Sequence, residues 1–159
     1  MSVNPPLQAD RRAKQMSMYR FLECTVGPYM TRDVIVVTPD VTLRDLEALF
    51  AARGFNAFPV VERDRVVGVV TKFDFLKAFV FTTQQMVPHY DELMSGTVRG
   101  IMTKEVIDVQ PDSPLTRVLQ LMVTVKARSL PVRGRDGRLV GMISREDIMR
   151  ALKEAVQQR

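Results

Sequence analysis

Apolar positions in this chain fall into runs of distinct period, and each period predicts an element. Val34 to Val37 is a short β-branched run closed by Pro39-Asp40, which predicts a short strand. Leu43, Leu46, Leu49 and Phe50 then form one stripe at helical spacing. Thr42 stands before the stripe as a cap, Asp45 follows three residues later, and Gly54 supplies a stop. Ala57 to Val61 and Val66 to Thr71 are nearly unbroken apolar runs joined by a polar turn at Glu62 to Arg65. They predict two strands buried on both faces. Lys72 to Phe81 returns to helical spacing, with Phe75, Leu76 and Phe79 predicted to face the core. The order is β-α-β-β-α.

The same order returns 72 residues later. Val106 to Val109 predicts the short strand. Ser113 is expected to cap a helix with Pro114 at its first position, and Leu115, Val118, Leu119 and Met122 form the stripe. Leu130 to Val132 and Leu139 to Ser144 predict strands around an Asp136-Gly137 turn, and Arg145 to Ala155 the closing helix. Identities recur with the pattern: Thr25-Val26 as Thr97-Val98, Met30-Thr31 as Met102-Thr103, Pro59-Val60 as Pro131-Val132. Past Gly137 the offset is 73, and Gly68-x-x-Thr71-x-x-Asp74 meets Gly141-x-x-Ser144-x-x-Asp147. Equal repeats must pack in equivalent ways. The expected organisation is a leader (1–24) with helical spacing from Leu7 to Leu22, a repeat at 25–81, a connection at 82–96 with a short helical turn, a repeat at 97–155, and a tail at 156–159.

Composition narrows the function classes. The 159 residues suit one well-buried domain, and no apolar run reaches the roughly 18 residues of a membrane helix. The opening residues do not resemble a signal peptide, so a soluble, cytoplasmic protein is expected. A single cysteine, Cys24, excludes an intramolecular disulfide and reads as a structural thiol. The net charge of +5 suits an anionic ligand. It is spread over solvated stretches such as Arg11 to Lys14 and Arg133 to Arg138, so nucleic acid is not the expected partner. His89 with Asp91 and Glu92 lacks the ligand spacing of a zinc site. No acid–base pair or nucleophile elbow stands out, so an enzyme is not expected. Met86, Met94, Met102, Met122 and Met142 read as core fillers.

The two strand-to-helix junctions carry the candidate chemistry. A helix beginning at Lys72 offers unpaired N–H groups that suit an anion, with the Thr71 hydroxyl and the Lys72 charge beside them. Asp74, one turn on, accepts two hydrogen bonds from vicinal hydroxyls. Phosphate and ribose together describe a nucleotide, and Ser144, Arg145 and Asp147 repeat the arrangement. The same residues equally satisfy a capping box, in which each Asp does no more than start its helix.

The whole pattern resembles the cystathionine-β-synthase (CBS) domain pair, or Bateman module. The resemblance is carried by Tyr29-Met30-Thr31 and Ile101-Met102-Thr103, by Phe58-Pro59-Val60-Val61 and Leu130-Pro131-Val132, and by the two Gly-x-x-[Thr/Ser]-x-x-Asp segments. It implies an α/β (α+β) fold of tandem pseudo-twofold β-α-β-β-α repeats that often dimerise. It also implies composite clefts for AMP, ADP, ATP or S-adenosylmethionine. One ligand set would be Thr71, Lys72 and Asp74 with Val106, Ile107, Arg128 and Ser129. The other would be Ser144, Arg145 and Asp147 with Val34, Ile35, Asn56 and Ala57. Arg128, where the other set has Asn56, predicts a stronger phosphate preference for the Asp74 set. Phe73 and Glu146 depart from the small polar residue expected beside each Asp, and Phe73 is expected to pack on adenine or in the core. A regulatory module acting on a separate polypeptide, through a homodimer, is the expectation. The alternative is a ligand-free assembly module.

Overall fold

The computed structural model describes Arg11, residues 18–80 and residues 89–157. The described residues form two compact units. One, the Asp74 unit, holds Asp33–Ile107 and Asp136–Leu139. The other, the Asp147 unit, holds the described residues up to Arg32, then Asp108–Arg135 and the described residues from Val140 on.

In the Asp74 unit, helix α1 (Leu43–Arg53) starts where Thr42 Oγ1 accepts the Asp45 N–H at 3.2 Å, and ends at Gly54 with φ 65°. Strands β1 (Ala57–Glu62) and β2 (Arg65–Thr71) pair antiparallel with Ala57 opposite Thr71. Arg63 and Asp64 turn between them with φ of 51° and 61°. Two successive left-handed residues match the twist of a tight hairpin. Helix α2 (Lys72–Lys77) follows β2 directly, and α3 (Tyr90–Ser95) and a 3-10 turn (Val98–Gly100) complete the unit. Its core is Val37, Leu43, Leu46, Phe50, Phe58, Val60, Val70, Met94 and Val98.

The Asp147 unit repeats the plan with α4 (Leu115–Val125), β3 (Ser129–Arg133), β4 (Leu139–Ser144) and α5 (Arg145–Gln157). Phe21, Val26 and Met30 join Leu115, Val118, Met122, Leu130, Val132, Ile143 and Ile148 in its core. Residues 18–22 are helical, and the rest of the expected leader helix lies outside the described residues apart from Arg11.

The repeats exchange their opening segments. Thr31 of the first repeat bridges antiparallel to Met142 on β4, and Thr103 of the second bridges to Val69 on β2. The crossing is close enough to require glycine. A Cβ on Gly141 would lie 2.7 Å from the Thr31 carbonyl oxygen, and one on Gly68 2.9 Å from that of Thr103. The hydrogen bonds match one for one on the two sides. Val26 N–H donates to Ser113 and Val98 N–H to Val41; Gly27 N–H donates to Pro111 and Arg99 N–H to Pro39. The correspondence begins before Thr25, because Cys24 N–H donates to Phe21 as Gly96 N–H donates to Leu93.

Several expectations are corrected. The short strands at Val34–Val37 and Val106–Val109 shrink to single parallel bridges, Val37 to Val60 and Val109 to Val132. Strand β2 alternates between buried and half-buried positions, so one face lies in the core and the other is only partly covered. Helix α2 closes at Lys77, short of the expected Phe81, which lies outside the described residues, as does Met86. Leu76 and Leu119 face outward. Phe73 is 70% exposed and does not fill a core. Ser113 does not cap α4; its hydroxyl accepts the Gln110 N–H, and Pro114 is the residue before the helix.

Candidate functional site

Each candidate aspartate is placed by a strand that runs straight into a helix. Pairing with β1 holds β2 extended up to Thr71, where the backbone turns helical at once. Asp74 Oδ2 accepts the Thr71 N–H at 2.9 Å and the Thr71 hydroxyl at 2.8 Å, while the Asp74 N–H donates to Thr71 Oγ1 at 3.0 Å. Asp147 Oδ2 accepts the Ser144 N–H and hydroxyl, both at 2.8 Å, and the Asp147 N–H returns to Ser144 Oγ at 3.3 Å. The capping box is therefore formed at both junctions. Both carboxylates are buried, at 4% and 6% exposure, where most charged side chains are not.

The second carboxylate oxygen differs in its use. Asp74 Oδ1 meets Lys77 Nζ at 2.7 Å, and Asp147 Oδ1 meets Arg150 Nη2 at 3.1 Å. Both cations sit three residues along, so each lies one turn above its carboxylate. Both are half exposed and can swing into water. Oδ1 is thus the oxygen whose partner can leave, while Oδ2 stays tied to the cap.

The remaining predicted residues divide between the units. Val34, Ile35, Asn56, Ala57, Thr71, Lys72, Val106 and Ile107 lie in the Asp74 unit. Arg128, Ser129, Ser144 and Arg145 lie in the Asp147 unit. Lys72 N–H donates to the Asn56 carbonyl at 3.0 Å, and Arg145 N–H to that of Arg128 at 3.0 Å. The backbone before each Pro-Val strand is thus fixed to the junction of its own repeat. Arg145 Nε also donates to the Ala127 carbonyl at 2.9 Å, which directs its guanidinium back along the chain. Lys72 instead lies 5.9 Å from the Phe50 ring centre. Arg128, Lys126 and Arg145 are all exposed, at positions where the first repeat has Asn56, Gly54 and Lys72.

Reading the sequence for sites missed Lys77 and Arg150. Their signal was a basic residue three positions after each Asp, on a helix already predicted. It also missed Tyr29, whose carbonyl accepts from Arg150 at 2.7 Å and whose ring lies 5.9 Å from the same guanidinium. Burial, Cys24 and Glu154 together raise the Tyr29 hydroxyl from 10.0 to about 12. Arg133 pairs with Asp108 at positions where the first repeat has Val61 and Val36. Among the described residues, no group of three or more His, Cys, Asp or Glu could hold a metal ion. No described helix is long and apolar enough to cross a membrane.

The CBS domain model matches the chain twice, at residues 26–80 and 98–154. The chain belongs to the CBS-domain family. Its two repeats make a CBS-domain pair, or Bateman module, with the α+β fold. Among relatives, an uncharacterised protein of Methanocaldococcus jannaschii, MJ1225, is 32% identical over 129 residues, covering 79% of this chain and 46% of its own length. The chloroplastic CBSX1 of Arabidopsis thaliana is 31% identical over 149 residues, covering 80% and 63%. The chain thus spans about half to two thirds of these relatives. The crystal structure of MJ1225 superposes with a TM-score of 0.77 at 28% identity, covering 90% of this chain and 51% of that one. CBSX2 of Arabidopsis thaliana, crystallised in complex with AMP, superposes with a TM-score of 0.69 at 27% identity, covering 82% and 96%.

Proposed function

We propose that this CBS pair is a regulatory module that binds an adenosine derivative and thereby modulates a separate protein. The observation that carries the reading is the duplicated junction. It holds a buried aspartate with one oxygen committed to a cap and the other held by a half-exposed, displaceable cation. Ribose hydroxyls suit that second oxygen, because a carboxylate accepts from two vicinal hydroxyls. The AMP-bound relative CBSX2 supports adenosine as the ligand class. AMP, ADP, ATP and S-adenosylmethionine share that adenosine, and the exposed cations Arg128 and Arg145 favour the phosphorylated members. By this reading Arg128 carries the phosphate preference, because a guanidinium holds phosphate in two places and Asn56 cannot. The module forms a homodimer, and a ligand biases its partner only as far as it binds two states with different affinity.

Calorimetry with AMP, ATP, S-adenosylmethionine and adenosine tests the reading. Binding below millimolar is expected, weakened at least tenfold by Asp74→Ala together with Asp147→Ala. Arg128→Gln should weaken AMP and ATP more than adenosine. Absence of sub-millimolar binding by all four, or binding indifferent to the double substitution, would reject it. The formed capping boxes favour one second reading, an assembly module without ligand. That reading requires no rise in melting temperature with any of the four, since a ligand of the folded state must raise it.

A further inference from the structure

Arg150 does more than neutralise Asp147. The same Nη2 atom lies 3.1 Å from Asp147 Oδ1 and 2.7 Å from the Tyr29 carbonyl oxygen. The guanidinium also lies over the Tyr29 ring, with 5.9 Å to its centre. The Tyr29 hydroxyl lies 3.9 Å from Cys24 Sγ. Tyr29 is therefore held by α5 at its carbonyl and its ring. It belongs to the exchanged segment, whose amides Val26, Gly27, Tyr29, Met30 and Thr31 all donate within the Asp147 unit. The equivalent cation makes no such link. Among the described residues, the partners of Lys77 are Asp74 and the Phe73 ring, both on α2.

We propose that Arg150 is a positioning residue that couples the state of Asp147 to the packing of the exchanged segment 24–31. While Asp147 Oδ1 is free of ligand, it orients the guanidinium onto the Tyr29 carbonyl. A hydroxyl donor that takes Oδ1 competes for that oxygen, releases Arg150 and loosens the segment. The ligand part of this mechanism rests on the proposed adenosine binding; the coupling itself does not.

Amide hydrogen exchange on the full chain tests both parts, with segment 24–31 read relative to α4 in the same unit. Without ligand, Asp147→Asn should speed exchange of 24–31 relative to α4 by about fivefold, the size of one ordinary hydrogen bond, because the half-exposed guanidinium is screened by water. Arg150→Gln, at a half-exposed position that leaves the cap intact, should do the same. Adding Asp147→Asn to Arg150→Gln should give no further change, and Asp74→Asn should leave 24–31 unaltered. Saturating AMP should reproduce the increase in the wild type and not in Arg150→Gln. If neither single variant alters 24–31 relative to α4, the coupling is overturned even where calorimetry shows AMP bound. If both variants act as expected while none of AMP, ATP, S-adenosylmethionine and adenosine binds, the coupling stands and the adenosine reading falls.

Discussion

The Thr71–Asp74 and Ser144–Asp147 junctions are two answers to one local problem. Each starts a helix with a hydroxyl residue and a buried aspartate, and their cap distances agree to within 0.3 Å. They diverge one turn later. Lys77 stays on its own six-residue helix, while Arg150, on a helix of 13 residues, reaches a separate stretch of chain. A lysine presents a single ammonium to Asp74. An arginine presents a planar fork that can serve a carboxylate, a carbonyl and a ring together. Duplication thus preserved the cap, which is local chemistry, and left the far oxygen free to acquire different partners.

The glycines that admit the exchanged segments give the strongest way to break the comparison. Gly141→Ala should cost about 3 kcal/mol and Gly68→Ala about 2 kcal/mol, because the new methyl meets a backbone oxygen that cannot yield. Urea unfolding measures both, and equal costs would deny that the crossing at Thr31 is the tighter one. Asp74→Ala and Asp147→Ala should each cost about 1–2 kcal/mol through the lost cap and the stranded junction amide. Little of that belongs to Lys77 or Arg150, since both are half in water. Lys77→Met and Arg150→Met should therefore be far milder than the aspartate substitutions in the same unfolding experiment.

The helices before the two strand pairs sharpen the contrast in the other direction. α1 ends on Gly54 in the left-handed region, whereas α4 ends on Lys126 with φ 55°, where a side chain is strained. Lys126→Gly should raise stability by about 1 kcal/mol and Gly54→Ala should lower it by a similar amount. A smaller effect concerns pH. The folded Tyr29 hydroxyl titrates near 12, above its ordinary 10.0, so the folded state favours its protonated form. That contribution is complete below pH 10 and is lost as pH rises toward 12. Tyr29→Phe should flatten the fall in melting temperature across this window. Least of all, Arg99 holds the exposed Glu62 carboxyl below its ordinary 4.5. Its small contribution should fade as pH falls through that range and vanish in Arg99→Gln.

Much of this protein was legible in the chain because it is local. The Leu43–Phe50 stripe, the Thr42 cap, the Gly54 stop and the Thr71–Asp74 and Ser144–Asp147 spacings each act within a few residues, so their patterns sufficed. The Met-Thr, Pro-Val and Gly-x-x-[Thr/Ser]-x-x-Asp motifs within the 72-residue echo also sufficed for the family. Tertiary structure decided what lies beyond that range. Both repeats carry the same Met-Thr segment, so the sequence pattern suits either sheet. Only folding shows that Met30-Thr31 crosses Gly141 and Met102-Thr103 crosses Gly68. The short strands shrink to bridges for a related reason: β-branched runs state a preference, and a ladder needs a partner along its whole length. The link from Asp147 through Arg150 to Tyr29 spans 121 residues between its last two members. No period encodes it, because it exists only once the exchanged segment has been laid against α5.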